Sequence, residues 1–170
     1  MAYLLIDGYN LIGTAHHDLE AARNDLVEKL CRYSGLRGHD ITVVFDGWKN
    51  GLPVENSHRI GRTTVIYSKL GEKADSVIKR ILSDGESPWI VVSSDREISD
   101  FADRKDYSPV TADEFESRLY AGLRAITDED TAGEPDVYDN GAPDLPARRK
   151  GNPRKRSKKQ TKKLRALRKL

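Results

Sequence analysis

Four aspartates stand where apolar segments of this chain give out. Asp7 follows Tyr3-Leu4-Leu5-Ile6, Asp46 follows Ile41-Thr42-Val43-Val44-Phe45, and Asp95 follows Trp89-Ile90-Val91-Val92 and two serines. Asp75 comes shortly after the apolar stretch Thr63 to Tyr67, and Asn10 adds a carboxamide three residues beyond Asp7. Carboxylates crowded together raise one another's pKa unless a cation intervenes. Mg²⁺ and Mn²⁺ suit such a group, because hard cations take oxygen ligands and are often held by one or two carboxylates plus water and substrate phosphate. Ions of this kind activate water and stabilise the leaving oxygen in phosphodiester hydrolysis. The chemistry indicated is metal-assisted cleavage of a nucleic acid, with water as the nucleophile. Each acid alone has a plainer role as a turn former, a helix cap or a first-turn acid favoured by the helix dipole. The coincidence of four is what points to a site.

Other chemistries find less support. Tyr9 stands two residues after Asp7, where aspartyl-phosphate phosphatases carry a second aspartate, and there is no GxxxxGK[ST], GxGxxG or CxxC. His16 and His17 are adjacent and cannot share one helical face as metal ligands. Cys31, the single cysteine, reads as a small buried hydrophobe, and its solitude fits a reducing compartment. No signal-peptide pattern precedes the first apolar run, and no apolar run approaches the length of a membrane span. A soluble cytoplasmic protein is expected.

The elements that must position the acids follow from the same runs. Short continuous apolar segments read as strands buried on both faces, so Tyr3–Asp7, Ile41–Asp46, Thr63–Tyr67 and Trp89–Val92 are predicted strands, with residues 107–110 a short last one. Between them lie helices. Asp18 to Tyr33 carries apolar residues at helical spacing, with Asp18 as N-cap and Gly35 or Gly38 as stop. A second helix runs from about Ala74 to Leu82 with Asp75 in its first turn. Ser94 and Glu97 match a capping box that puts Asp95 at the start of a third, and Thr111 and Glu114 match another that opens the last. Strands alternating with helices predict an α/β fold with a mostly parallel sheet covered on both faces. In such a sheet ligands bind outside the carboxyl ends of the strands, where the scattered acids would meet. Trp48 to Arg62 shows no periodicity and reads as a long loop, in which Trp48, Arg59 and Arg62 are candidate RNA contacts through stacking and phosphate pairing.

The 170 residues carry a net charge of only +2, but the charge is unevenly placed. Arg148 to Leu170 holds 13 Lys or Arg and no acid, Asp128 to Asp144 holds 7 acids and no base, and positions 1–127 keep 16 bases against 20 acids. Three regions are therefore expected: a folded domain over 1–127, an acidic Gly/Pro-containing disordered linker over 128–147, and a disordered basic tail over 148–170. In the tail, Arg148, Arg149, Lys150, Arg154, Lys155, Arg156, Lys158 and Lys159 are candidate RNA contacts, each neutralised phosphate releasing a counterion. The last dozen residues are marginal as an isolated helix, though a polyanionic surface could induce one.

The ordered set Asp7-Gly8-Tyr9-Asn10, Val43-Val44-Phe45-Asp46-Gly47, Gly71-Glu72-Lys73-Ala74-Asp75-Ser76 and Ser93-Ser94-Asp95-Arg96-Glu97 resembles the YacP-like branch of the NYN domains, within the PIN-like nuclease superfamily. The resemblance covers about residues 1–127, with Lys73 where a threonine would be expected. It implies a Rossmann-like, PIN-like three-layer fold and a Mg²⁺- or Mn²⁺-dependent endoribonuclease. By position it makes Asp7, Asn10, Asp46, Asp75 and Asp95 the catalytic residues, the four aspartates the metal ligands, and Arg96 part of the branch's pattern. It also implies messenger RNA as substrate and the ribosome as partner. Two rivals fit the residues themselves: a noncatalytic RNA-binding module and a nuclease directed at DNA.

Overall fold

The first strand is the centre of the molecule. In the computed structural model, which describes residues 1–13, 18–47, 53–85, 87–127 and 157–170, β1 (Tyr3–Asp7) pairs in parallel with both β2 (Asp40–Phe45) and β5 (Trp89–Val92). With β3 (Asn56–Ile60), β4 (Thr63–Tyr67) and β6 (Ser108–Val110) these make one six-stranded sheet in the order β3-β4-β2-β1-β5-β6. Every neighbouring pair is parallel except β3 with β4. The chain winds outward from β1 through β2 to β4, then crosses back over β1 to β5 and β6. That reversal puts a topological switch point between β1 and β5, the place where open α/β sheets hold ligands.

Helices cover both faces, which is why the inner strands are continuous apolar runs. Leu4, Ile6, Ile41, Val43, Phe45, Val65, Ile90 and Val92 point to one side, into a core shared with Leu26, Leu30 and Tyr33 of α2 (Leu19–Arg37) and Phe115 and Leu119 of α5 (Ala112–Thr127). The intervening Leu5, Val44, Ile66 and Val91 point to the other, against Val77, Ile78 and Leu82 of α3 (Ala74–Asp84) and Ile98 and Ala102 of α4 (Arg96–Arg104). Each fully buried aliphatic side chain of this kind contributes about 1.5–3 kcal/mol relative to exposure. Asp18 caps α2 through bonds from Glu20 N and Ala21 N, and Gly38, in the left-handed region at φ 64°, ends it. Gly35 lies within the helix.

Three segments differ from expectation. A one-turn helix, α1 (Gly8–Ile12), follows β1 directly, ahead of Asp18, where the first helix is predicted to begin. It forms because Asp7 caps it and because Gly8 has no side chain: a Cβ there would stand 2.2 Å from the Phe45 ring. Part of the predicted 48–62 loop is β3, an edge strand with all five residues exposed, joined to β4 by Gly61-Arg62 with Gly61 at φ 59°. A glycine at the first central position suits a two-residue hairpin.

The third is the basic end. Residues expected within a disordered tail form α6 (Lys158–Lys169), opened by a capping box between Ser157 and Gln160. The helix lies beside β6 and buries Ala166 and Leu170 against the core, and the Tyr33 hydroxyl donates to Leu170 O at 2.6 Å. Lys159 pairs with Asp103, Lys162 with Asp106 at 2.5 Å and Lys163 with Glu114 at 2.8 Å. Acids of the body thus supply the surface on which this helix forms, and α6 covers the side of an edge strand that would otherwise offer itself for pairing. The acidic linker 128–147 lies outside the described residues.

Candidate active site

The carboxyl ends of β1, β2 and β5 bring the predicted acids to one mouth. Asp7 is the last residue of β1 and is buried. Its Oδ2 accepts from Asn10 Nδ2 at 2.7 Å and from Ser93 Oγ at 3.4 Å, while its Oδ1 takes Asn10 N at 3.4 Å as the cap of α1. Asn10 turns its other face to β5, its Oδ1 accepting from Ser94 N at 3.0 Å. One carboxamide therefore ties the end of β1 to the end of β5 across the switch point. Ser93 Oγ also accepts from Asp95 N at 3.1 Å, and Asp95 caps α4 by accepting from Glu97 N at 2.6 Å.

Asp46 leaves β2 and accepts the Ala74 amide at the start of α3, where the formal cap residue, Lys73, offers no side-chain bond. Ser68 steadies this junction: its Oγ accepts from Gly47 N at 2.9 Å and donates to Glu72 O at 2.5 Å. Asp75 sits in the first turn of α3, half-buried, and accepts no hydrogen bond from the described residues. Three of the four acids thus fasten helix N-termini around the mouth, favourable places for negative charge.

The electrostatics go the other way. Burial pushes the Asp7 carboxyl above its ordinary value; the bonds from Asn10 pull it back, and the charges of Asp75 and Asp46 push it further up. Asp75 is raised by burial and then by Asp95, with Asp46 and Glu97 adding and Lys79 opposing. Lys79 is itself paired with Glu97. Asp7 and Asp75 therefore feel other aspartates of the mouth as like charges. Among the described residues, no three His, Cys, Asp or Glu side chains close on one point as a metal cage. An open ring of carboxylates still fits Mg²⁺ or Mn²⁺, since Mg²⁺ keeps several waters and takes only one or two carboxylates with substrate phosphate.

Arg59 and Arg62 sit elsewhere. They flank the β3–β4 turn at the opposite end of the sheet, where Arg62 Nη2 lies 3.1 Å and Arg59 Nη2 3.7 Å from the carboxylate oxygens of Asp40, at the start of β2. The sheet separates them from the acids. Arg96 is exposed at the first position of α4, beside Asp95, without an ion-pair partner among the described residues. Trp48, His16, His17, Arg148, Arg149, Lys150, Arg154, Lys155 and Arg156 lie outside the described residues. Lys158 is exposed on α6, and Lys159 is engaged with Asp103. Sequence reasoning missed Ser93 and Ser68 as supports of the acids. It also took Ser94 as the cap of α4, but Asp95 holds that position, while Ser94 Oγ accepts from Ala112 N at 3.1 Å. A serine and an aspartate in succession are both good caps, and only the third dimension chooses between them.

A mostly parallel six-stranded sheet with helices on both faces and acids at its switch point makes this a PIN-like α/β fold. The chain belongs to the YacP-like NYN domain family, whose model matches residues 4–169. It is 34% identical over 89 residues to the protein YacP of Bacillus subtilis, an alignment covering 48% of this chain and 51% of that protein, so the chain spans about half the length of the curated relative it matches. The crystal structure of Rae1 (YacP) from Bacillus subtilis superposes with a TM-score of 0.59 at 26% identity, covering 76% of this chain and 79% of that one. A point mutant of the same protein gives 0.62 at 26% identity, covering 75% and 80%. The match of the family to the α6 region agrees with the helix being part of the folded unit. Among the described residues no helix is long and apolar enough to cross a membrane.

Proposed function

We propose that this protein is a divalent-metal-dependent endoribonuclease, working at the mouth formed by Asp7, Asp46, Asp75 and Asp95. The observation that carries the reading is the gathering of four like charges at the switch point, two of them pushed up by burial and by their neighbours. A structure accepts that cost where the charge has a use.

Held by these aspartates, Mg²⁺ or Mn²⁺ would activate water and neutralise charge on the phosphodiester. The chain's own residues do the rest. Asn10 fixes the Asp7 carboxylate and the Ser94 amide relative to each other, so the distance across the switch point does not drift when substrate arrives. Capping bonds orient Asp46 and Asp95, leaving the half-buried Asp75, which accepts no hydrogen bond from the described residues, and the exposed Arg96 cation to meet the incoming strand. The substrate we assign is RNA, in keeping with the family resemblance, with messenger RNA on the ribosome as the context to test. The basic run from Arg148 to Arg156, with Lys158, supplies non-specific attraction to the polyanion.

The test is cleavage of a labelled single-stranded RNA with Mg²⁺, with Mn²⁺ and with chelator, by the wild type and by Asp7→Asn. Asparagine keeps the helix cap and removes the charge. Cleavage that is lost both with chelator and in the variant supports the proposal, and a matched DNA substrate left intact assigns the RNA preference. Cleavage that survives in the variant overturns the assignment of the site. Absence of cleavage by the wild type both on free RNA and on translating ribosomes favours a noncatalytic RNA-binding module.

A further inference from the structure

Beside the acids lies a row of aromatic rings that the proposed chemistry does not use. Phe45, the last residue of β2, is fully buried; Tyr67, the last residue of β4, stacks on it with ring centres 5.6 Å apart and planes at 22°. His58 of β3 stacks on Tyr67 in turn, at 6.0 Å and 20°. The row therefore runs across the sheet from core to edge, through a half-buried ring to an exposed one on a strand with no buried residue. Arg23 of α2 places its guanidinium carbon 5.9 Å from the centre of the Tyr67 ring, and Tyr9 meets Phe45 edge-on at 5.7 Å. Three of the rings are tied to the mouth through the chain. Phe45 precedes Asp46, Tyr67 precedes the Ser68 that holds Gly47, and Tyr9 lies two residues beyond Asp7.

We propose that Tyr67 and His58 form a nucleobase-stacking subsite that receives a base of the single-stranded RNA flanking the scissile phosphate, with Arg23 as its cationic partner. This rests on the nuclease reading for its orientation but not for its existence. Packing between the neighbouring parallel strands β2 and β4 explains Phe45 against Tyr67. It gives no reason for an imidazole to lie nearly parallel to the phenol at the solvent edge, where a polar side chain would serve the strand equally well. Every base has a π-face, so such a platform reads no sequence by itself and suits a strand drawn through in varying register. The open face of the row is that of His58 at the sheet edge, and Arg23, beside the Tyr67 ring that backs it, adds positive charge to the platform.

The test is binding of a fluorescent single-stranded oligoribonucleotide in chelator, where cleavage is silent, to the wild type, His58→Ala and His58→Trp. Each protein is also titrated with an oligomer of equal length and charge lacking its bases. His58 is exposed, so neither substitution disturbs the core. The alanine variant is expected to bind the intact oligomer about fivefold more weakly or worse, to bind the abasic one as the wild type does, and to be rescued by tryptophan. Equal affinity of wild type and alanine variant for the intact oligomer overturns the subsite, as does failure of the wild type to bind it. Cleavage that depends on Asp7, together with indifference to His58, would sink the subsite and leave the nuclease standing. Base-dependent binding by a protein that never cleaves would do the reverse.

Discussion

At the strand ends, Asp7, Asp46, Asp75 and Asp95 gather charges of one sign, and burial and mutual repulsion raise Asp7 and Asp75. Along α6 the charges are as dense but mixed, with Lys159, Lys162 and Lys163 each meeting an acid of the body, and the Lys162 contact holds Asp106 below its ordinary value. Glu114 is raised by burial but brought lower overall by the bonds from Lys163 and Thr111. Asp7 and Asp75 are thus held at a cost to stability, whereas Asp106 and Glu114 are eased by their partners. Like charges assembled against Coulomb repulsion mark a place kept for chemistry, and opposite charges paired on a surface mark a seam.

The same substitution made in both regions gives the sharpest contrast. Asp7→Asn is expected to lower RNA cleavage by about a hundredfold or more, the scale on which charge arrangements in active sites register. Asp103→Asn, under α6, is expected to leave cleavage unchanged in the same assay. If both variants cleave alike, the mouth is only a set of helix caps.

The seam is broken from its apolar side. Ala166→Asp puts a carboxylate where α6 meets the core, and urea unfolding is expected to show a loss of about 3 kcal/mol, the usual cost of an uncompensated buried charge. A null result would mean that α6 adds nothing to the fold.

Smaller effects separate the regions by sign. A raised carboxyl releases its proton less readily in the folded chain than in the unfolded one, so its charge costs stability at neutral pH, a cost that disappears as pH falls below the folded value. Asp75→Asn should therefore raise the thermal midpoint by roughly one to a few degrees near about pH 7, and the gain should vanish in acid. A depressed carboxyl behaves oppositely. The contribution of Glu114 is complete above its ordinary value of 4.5 and fades as pH drops through the lower folded value. Lys163→Ala, removing its partner at a half-exposed contact, is expected to cost less than about 1 kcal/mol in urea unfolding at neutral pH, and nothing measurable once Glu114 is protonated.

The two regions also differed in how plainly they could be read from sequence. Strand ends were visible because β1, β2, β4 and β5 are apolar runs closed by polar residues, and a sheet buried on both faces leaves that imprint. The reversal of strand order that brings Asp7 beside Ser93 left none beyond the alternation of elements. The helix α1 was hidden by its brevity and by opening on glycine, a poor helix former that is needed for the approach of Phe45. No apolar alternation marked β3, since its pairing with β4 is a matter of backbone and of the Gly61 turn. For α6 the signal was present, in the spacing of Leu164, Leu167 and Leu170, but the acids that receive its lysines lie more than forty residues earlier. Arg59 and Arg62 read as candidate RNA contacts because they fall in a long stretch without periodicity; antiparallel return of the chain carries them to the far end of the sheet from the acids.

The bond from Ser93 to Asp7 spans 86 residues, and that separation orders events in time. Local pieces such as the β3–β4 hairpin close early, whereas parallel pairing of β1 with β5 must wait for the crossovers between them. A chain emerging from synthesis therefore carries Asp7 long before it can carry the mouth. Until β5 docks, Asn10 has no Ser94 amide to grip and the four aspartates have no common place, so the mouth is complete only once folding has joined both halves of the sheet.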